Sequence, residues 1–406
     1  MLPNCLRSKP LLALPALLCA IPLLPPCFAE EPSANQNAHP SFNYQWLHAQ
    51  APVNASLRGS AASAQGDVWV TGTSGTVLQS TNGGETWKQI VVPDIGNADS
   101  EDEHSGHNES DSDGTTHSAE PADSPAVDFR DVAVLPDGSV LLMSVGNGPA
   151  SRLLRSNNGK DPWRVVLQND HPDGFFDGFD FDASGQFGVL YGDAVEGRFA
   201  LYRTEDAGKT WVPLPSQNRP SAKPGEHAFA ASGTGIEVDG SVIRFVTGGS
   251  VARVATSTDR GLRWTFSKTP IQSGKPSAGI FSLAKVDSNR VVIVGGDYLA
   301  PETTRATIAQ STNGGKHWAV TPSPVPHRAC VRHLGGSHLL SCGRTGVAVS
   351  NDAGQRWTTI SKEGYYTAAI DQTRQRAYLA GSDGRIVVLK WERQPSTAPP
   401  DESSAR

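Results

Sequence analysis

The stretch Ser80-Thr-Asn82-Gly-Gly84-Glu-Thr-Trp87 decides the fold of this 406-residue chain. The phrase returns ending at Trp163, Trp211, Trp264, Trp318 and Trp357, so six of the nine tryptophans are committed to it. Its pattern is Ser/Thr-x-Asp/Asn-x-Gly-x-x-Trp. The third position is Asn82, Asn158, Asp206, Asp259, Asn313 and Asp352. The fifth is Gly84, Gly208, Gly261, Gly315 and Gly354; the second copy departs, with Lys160 there, Gly159 one place early and Pro162 before its Trp. A period of roughly 40–55 residues predicts a repeat architecture.

Each copy lies between short apolar alternations, as Gly75–Ser80 precedes the first and Trp87–Ile90 follows it. Alternation, a Gly/Asx cluster and alternation again spell a hairpin. The Asx side chain accepts backbone N–H groups across the turn, Gly takes φ > 0, and the Trp ring can lid the turn. Further runs lie upstream: Leu57–Ala62 and Asp67–Thr71 before Gly72, Val291–Val294 before Gly295, Leu339–Cys342 before Gly343. Four short strands per repeat predict a β-propeller blade. Innermost strands starting at Leu57, Phe129, Phe176, Ala228, Ile280, Ala329 and Thr367 give an all-β, seven-bladed propeller over residues 42–392. The seventh unit lacks the phrase and ends at Gly384–Trp391. The run Phe42-Asn-Tyr44-Gln-Trp46-Leu-His48 is therefore expected to complete it, since an unclosed ring leaves open sheet edges.

The phrase resembles the Asp-box, or bacterial neuraminidase repeat, of sialidases, sortilin-like receptors and secreted propellers. The wording from Val70-Thr-Gly72 through Trp87 is similar to the photosystem II stability/assembly factor family and its bacterial relatives. That resemblance implies a protein- or peptide-binding, assembly-factor-like module with no cofactor. The phrase says less about activity, because one fold hosts many functions.

Residues 1–29 read as a secretory signal, with Arg7 and Lys9, the apolar core Leu11–Leu24 and the small-x-small site Cys27-Phe-Ala29. The core is broken by Pro15 and Pro22 and is too short to span a bilayer comfortably. The expected product is a periplasmic or extracellular monomer that meets its partner in the cell envelope. Residues 30–41 form a linker, and 393–406 a polar, Pro-rich tail expected to be disordered. Removing the signal leaves Cys330 and Cys342, placed symmetrically about Gly336. They are expected to face each other across one strand pair and form a disulfide; two free core thiols are the alternative.

A net charge of −6 argues against a polyanion-binding surface over the whole protein and against nucleic acid as partner. Residues 93–127 hold ten of the 41 acids and none of the 35 bases, so the rest of the chain is slightly basic. The insertion reads as a disordered, solvated tether, with His104 and His107 offering a weak divalent-cation site.

The phrase hairpins join third to fourth strands. Innermost strands begin at the opposite end of each unit, and function is expected there. That end offers Arg58, Arg130, Asp131, Asp177, Glu226, His227, Arg328, Tyr365 and Tyr366. Arginines from separate units, converging with acids and tyrosine, suit a carboxylate, a phosphate or a peptide terminus. An ion-pair network plugging the pore uses the same residues. Sialidases place three arginines, a Tyr–Glu pair and an aspartate on this face, so a glycoside hydrolase built on Asp131, Asp177, Glu226 and Tyr366 is the enzymatic alternative. Their Phe/Tyr-Arg-Ile-Pro signature is absent, however, and the nearest text is Leu57-Arg58-Gly59. No hydrolase elbow, phosphate loop, dinucleotide fingerprint or zincin motif is present.

Overall fold

Short apolar alternations satisfy their backbone only by pairing, and here they pair into seven antiparallel sheets. The structure is a computed structural model that describes residues 42–93, 127–160, 162–322 and 325–394. Sheet 1 shows the scheme: Leu57–Ala62, Val68–Gly72, Val77–Ser80 and Lys88–Gln89 pair in chain order. The innermost strands of sheets 2 to 7 are Asp128–Val134, Phe176–Phe181, Ile236–Asp239, Lys275–Lys285, Cys330–Gly335 and Thr367–Asp371. Each packs beside the next, and the innermost strand of sheet 7 packs beside that of sheet 1, which closes the ring. Second strands are sandwiched between neighbouring sheets. Val68–Gly72 and Val291–Asp297 are accordingly buried at every residue and read as apolar runs rather than alternations.

The Trp-ended phrase joins the third strand of a sheet to its fourth. In five copies the Ser/Thr hydroxyl accepts the N–H of the fifth-position Gly at 2.8–3.0 Å. The Asx oxygen accepts the N–H four residues on, again at 2.8–3.0 Å. Those glycines have φ between 73° and 94°, where a side chain is strained. A Cβ at Gly84 would lie 2.6 Å from Val388, at Gly208 2.6 Å from Leu141 and at Gly354 2.6 Å from Val292. Each turn therefore presses on the preceding sheet. The Trp211, Trp264 and Trp357 indoles donate to the carbonyl of the turn glycine three residues back. In the second copy Ser156 bonds Gly159 and Asn158 bonds Lys160, a tighter turn.

Sheet 7 takes its outermost strand from the other end of the described chain. Phe42–Gln50 pairs antiparallel with Arg385–Arg393 over nine residues, from Phe42 opposite Arg393 to Gln50 opposite Arg385. His338 of sheet 6 fastens this strand: its ring stacks on Phe42 at 3.9 Å, and Tyr44 Oη lies 2.8 Å from its Nε2. Burial, with a smaller effect of His333, pushes the His338 pKa down from 6.5 to about 4. Its stabilising contribution is full above pH 6.5 and is lost as pH falls toward 4, amounting to at most about 3 kcal/mol. His338→Gln is expected to flatten the acid limb of a urea-midpoint profile between pH 7 and 4.5. An unchanged limb would show that other groups set it.

Two expectations are corrected. The fourth unit starts at Ile236, not Ala228. Glu226–His227 instead pairs with Gly248–Gly249, and that pair joins sheet 5 through Lys275–Lys285, giving it six strands. Side-chain-free Gly248 permits this, since a Cβ there would lie 2.8 Å from the Gly279 Cα. Cys330 and Cys342 do stand directly opposite each other, but as free, buried thiols in hydrogen-bond contact rather than as a disulfide. The signal, the linker, residues 94–126 with His104 and His107, and the tail beyond Gln394 lie outside the described residues.

Candidate functional site

Where the innermost strands begin, a cleft of about 640 Å³ opens at the ring's centre. β-Bulges build much of its wall. Register breaks between Leu57 and Gly59, Phe129 and Asp131, Phe176 and Gly178, and Ile280 and Ser282 leave one residue unpaired in each innermost strand. The unpaired residues are Arg58, Arg130, Asp177 and Phe281, and all four line the cleft. A bulge re-aims its extra side chain, here out of the sheet stack and into the mouth.

One side is cationic. Arg58, half-buried, lies over the Tyr366 ring at 4.2 Å, and burial followed by the Arg130 charge lowers its pKa. Arg130 is held by Asp128 at 2.6 Å and by the Ala230 carbonyl at 3.0 Å. Exposed Arg344 joins them from the turn after the second strand of sheet 6. The other side is aromatic. Phe229 stacks on Phe281 at 4.0 Å, Tyr298 stands edge-on to both, and His227 and His327 abut the pair. His327 is 2% exposed, with both ring nitrogens unpartnered, and burial drives its pKa down to about 4. The histidine thus behaves as a neutral ring in this wall at physiological pH.

Between the two sides stand Asp177 and Asp193. The Asp193 carboxylate accepts the Ala228 N–H at 2.8 Å. Asp177 is buried with Oδ2 unpartnered, and burial plus the nearby Asp193 charge raise its pKa well above the usual carboxyl range. Asp177 therefore holds its proton more tightly, which reduces its repulsion of an incoming anion.

Five residues expected at the mouth line it: Arg58, Arg130, Asp177, His227 and Tyr366. Four others do not. Asp131 lies deeper, accepting the Val132 and Phe179 N–H groups at 2.8 and 3.0 Å. Glu226 is bound to Arg253 at 2.5 and 2.8 Å and to the Thr247 hydroxyl at 2.7 Å. Arg328 is fully buried beneath His327 and donates to Thr345 Oγ1 at 2.7 Å. Tyr365 is also buried, its hydroxyl on Glu363 at 2.9 Å. The three carboxylates of the hydrolytic alternative thus do not meet in the cleft. Sequence reasoning missed Asp193, Phe229, Phe281, Tyr298, His327 and Arg344 as site residues. Among the described residues no group of His, Cys, Asp and Glu is arranged to hold a metal, and no helix is long and apolar enough to cross a membrane.

No family model and no curated protein matches the chain. Solved structures do. YCF48 bound to D1 peptide superposes with a TM-score of 0.58 at 13% identity, covering 87% of this chain and 99% of that one. YCF48 from Cyanidioschyzon merolae gives 0.56 at 18% identity over 85% and 98%. The Pan2 WD40 domain of Neurospora crassa gives 0.54 at 11% identity over 87% and 96%. At these identities the likeness establishes a β-propeller fold.

Proposed function

We propose that this chain is an exported, monomeric, seven-bladed propeller of the Asp-box type that binds a protein or peptide segment in the cell envelope and aids assembly of its partner. The observation that carries the reading is the two-sided cleft. Arg58, Arg130 and Arg344 face a wall of Phe229, Phe281 and Tyr298, so one ligand can place a carboxylate and an adjacent apolar side chain at once. Guanidinium forks match carboxylates bidentately, and stacked rings hold an apolar neighbour without regard to its exact shape. The likeness to a YCF48 structure bound to D1 peptide supports a peptide as the ligand class. The seven sheets are read as blades and the Trp-ended turns as Asp-boxes, the outermost strand of sheet 7 coming from Phe42–Gln50.

The test is selection of a random peptide library on the protein and on an Arg58→Ala/Arg344→Ala variant. The wild type is expected to enrich peptides with a free terminal carboxylate or an acidic residue beside an apolar one. A charge-assisted hydrogen bond is worth ~1.5–3 kcal/mol, so each arginine lost should weaken a selected peptide about 10- to 100-fold. Equal affinity for both proteins would remove the site.

A further inference from the structure

A second cleft, of about 420 Å³, lies between sheets 3 and 4 and shares no lining residue with the mouth. One wall is Arg198, which opens the third strand of sheet 3, Arg198–Thr204. The other is the turn and outer strand of sheet 4 from Leu262 to Phe266. A strap over residues 215–225 crosses it and is pinned by backbone bonds: Phe199 N–H to the Pro220 carbonyl at 3.1 Å and Ala222 N–H to the Gly197 carbonyl at 2.9 Å.

Four cationic side chains line this cleft without an ion-pair partner among the described residues: Arg198, Arg219, Lys223 and Arg263. The nearby carboxylate of Glu226 is already consumed by Arg253. Arg198 is oriented by its bond to the Arg219 carbonyl at 2.7 Å, and Arg219 Nε is buried with no hydrogen-bond partner. Gathering like charges raises their mutual energy, and a bound anion relieves it. Of the two aromatic side chains in the lining, Phe266 has its ring covered by the Arg253 guanidinium at 3.5 Å, and Trp264 packs edge-to-face on Phe245 at 5.3 Å with its indole nitrogen on the Gly261 carbonyl. That leaves a compact, strongly charged ligand.

We propose that this cleft binds a ligand carrying at least two linked phosphate groups, the forks of Arg198, Arg219 and Arg263 and the Lys223 ammonium meeting its oxygens. The site is independent of the peptide mouth.

The test is calorimetric titration of inorganic pyrophosphate into the full chain at low salt, with orthophosphate, sulfate and tripolyphosphate as parallel arms. Pyrophosphate is expected to bind about tenfold more tightly than orthophosphate and to weaken as salt rises. Lys223 and Arg263 are exposed, so Lys223→Gln/Arg263→Gln is expected to keep the wild-type melting temperature while weakening pyrophosphate at least about tenfold. The mouth variant Arg58→Ala/Arg344→Ala should bind pyrophosphate as the wild type does. No heat from wild type up to millimolar pyrophosphate overturns the proposal. So does equal affinity in the Lys223/Arg263 variant, or loss of binding in the mouth variant. Tripolyphosphate binding at least as tightly as pyrophosphate would support a polymeric source, and weaker binding a free diphosphate; sulfate matching pyrophosphate would overturn the phosphate assignment.

Discussion

Deleting the chain through Gln50 is expected to unfold the whole protein rather than fray one end. Phe42–Gln50 supplies the entire outer strand of sheet 7. Phe42, Tyr44 and Trp46 pack on a cluster that includes Leu389 and Trp391 of sheet 7 and Leu340 of sheet 6. Fully burying one large apolar side chain contributes about 1.5–3 kcal/mol; these three are partly buried, so together they contribute roughly half of the full sum, ~2–5 kcal/mol, before the lost strand pairing is added. A domain's whole stability is about 5–15 kcal/mol. The deletion would also leave the Arg385–Arg393 strand as a long unpaired edge, inviting aggregation. Circular dichroism melting of the truncated protein checks this. A cooperative transition within a few degrees of wild type would mean that the strand is dispensable.

Glu226→Ala should be the most damaging single substitution among the residues named here. The Glu226 side chain is fully buried and accepts from Lys223 N at 2.7 Å, Thr247 Oγ1 at 2.7 Å, Arg253 Nε at 2.8 Å and Arg253 Nη2 at 2.5 Å. Removing it strands the Arg253 guanidinium, largely buried and without its counter-charge. Breaking one side of a buried pair costs about 3–5 kcal/mol. The double change Glu226→Ala/Arg253→Met, which removes both charges, is expected to recover a large part of that loss. Urea midpoints of the single and double variants decide the matter. A single-variant loss below about 1 kcal/mol would show that Glu226 is not the anchor its contacts describe.

The architecture was legible because its signal is repeated. Ser80, Asn82, Gly84 and Trp87 each do one job in the turn, and the same jobs recur along the chain. Even the pairing of Phe42–Gln50 with Arg385–Arg393 followed from a unit that lacked a strand. The site was only half legible. Arg58, Arg130 and Asp177 could be guessed from their place at strand starts, but the bulges that aim them leave no mark in an apolar alternation. Phe281 was missed for the same reason, since an aromatic residue inside a strand pattern reads as core. Glu226 misled in the opposite direction. It stands where a mouth residue should, yet Arg253, far off in sequence, claims it. The start of sheet 4 was misplaced with it, because the segment before Ile236 follows Glu226 toward sheet 5.

The outer strand of sheet 7 also governs when the protein can finish folding. Phe42 meets Arg393 across nearly the full length of the described chain. During synthesis the early strand must wait, unpaired and carrying three large aromatic side chains, until the ribosome has released residue 393. Sheets 1 to 6 can assemble as they emerge, but the circle is locked in a single late event of very high sequence separation. Such events are slow and expose unfinished edges meanwhile. Refolding should therefore show a fast phase that builds most of the sheet signal and a slower one, reported by Trp46 and Trp391 fluorescence, that closes the circle.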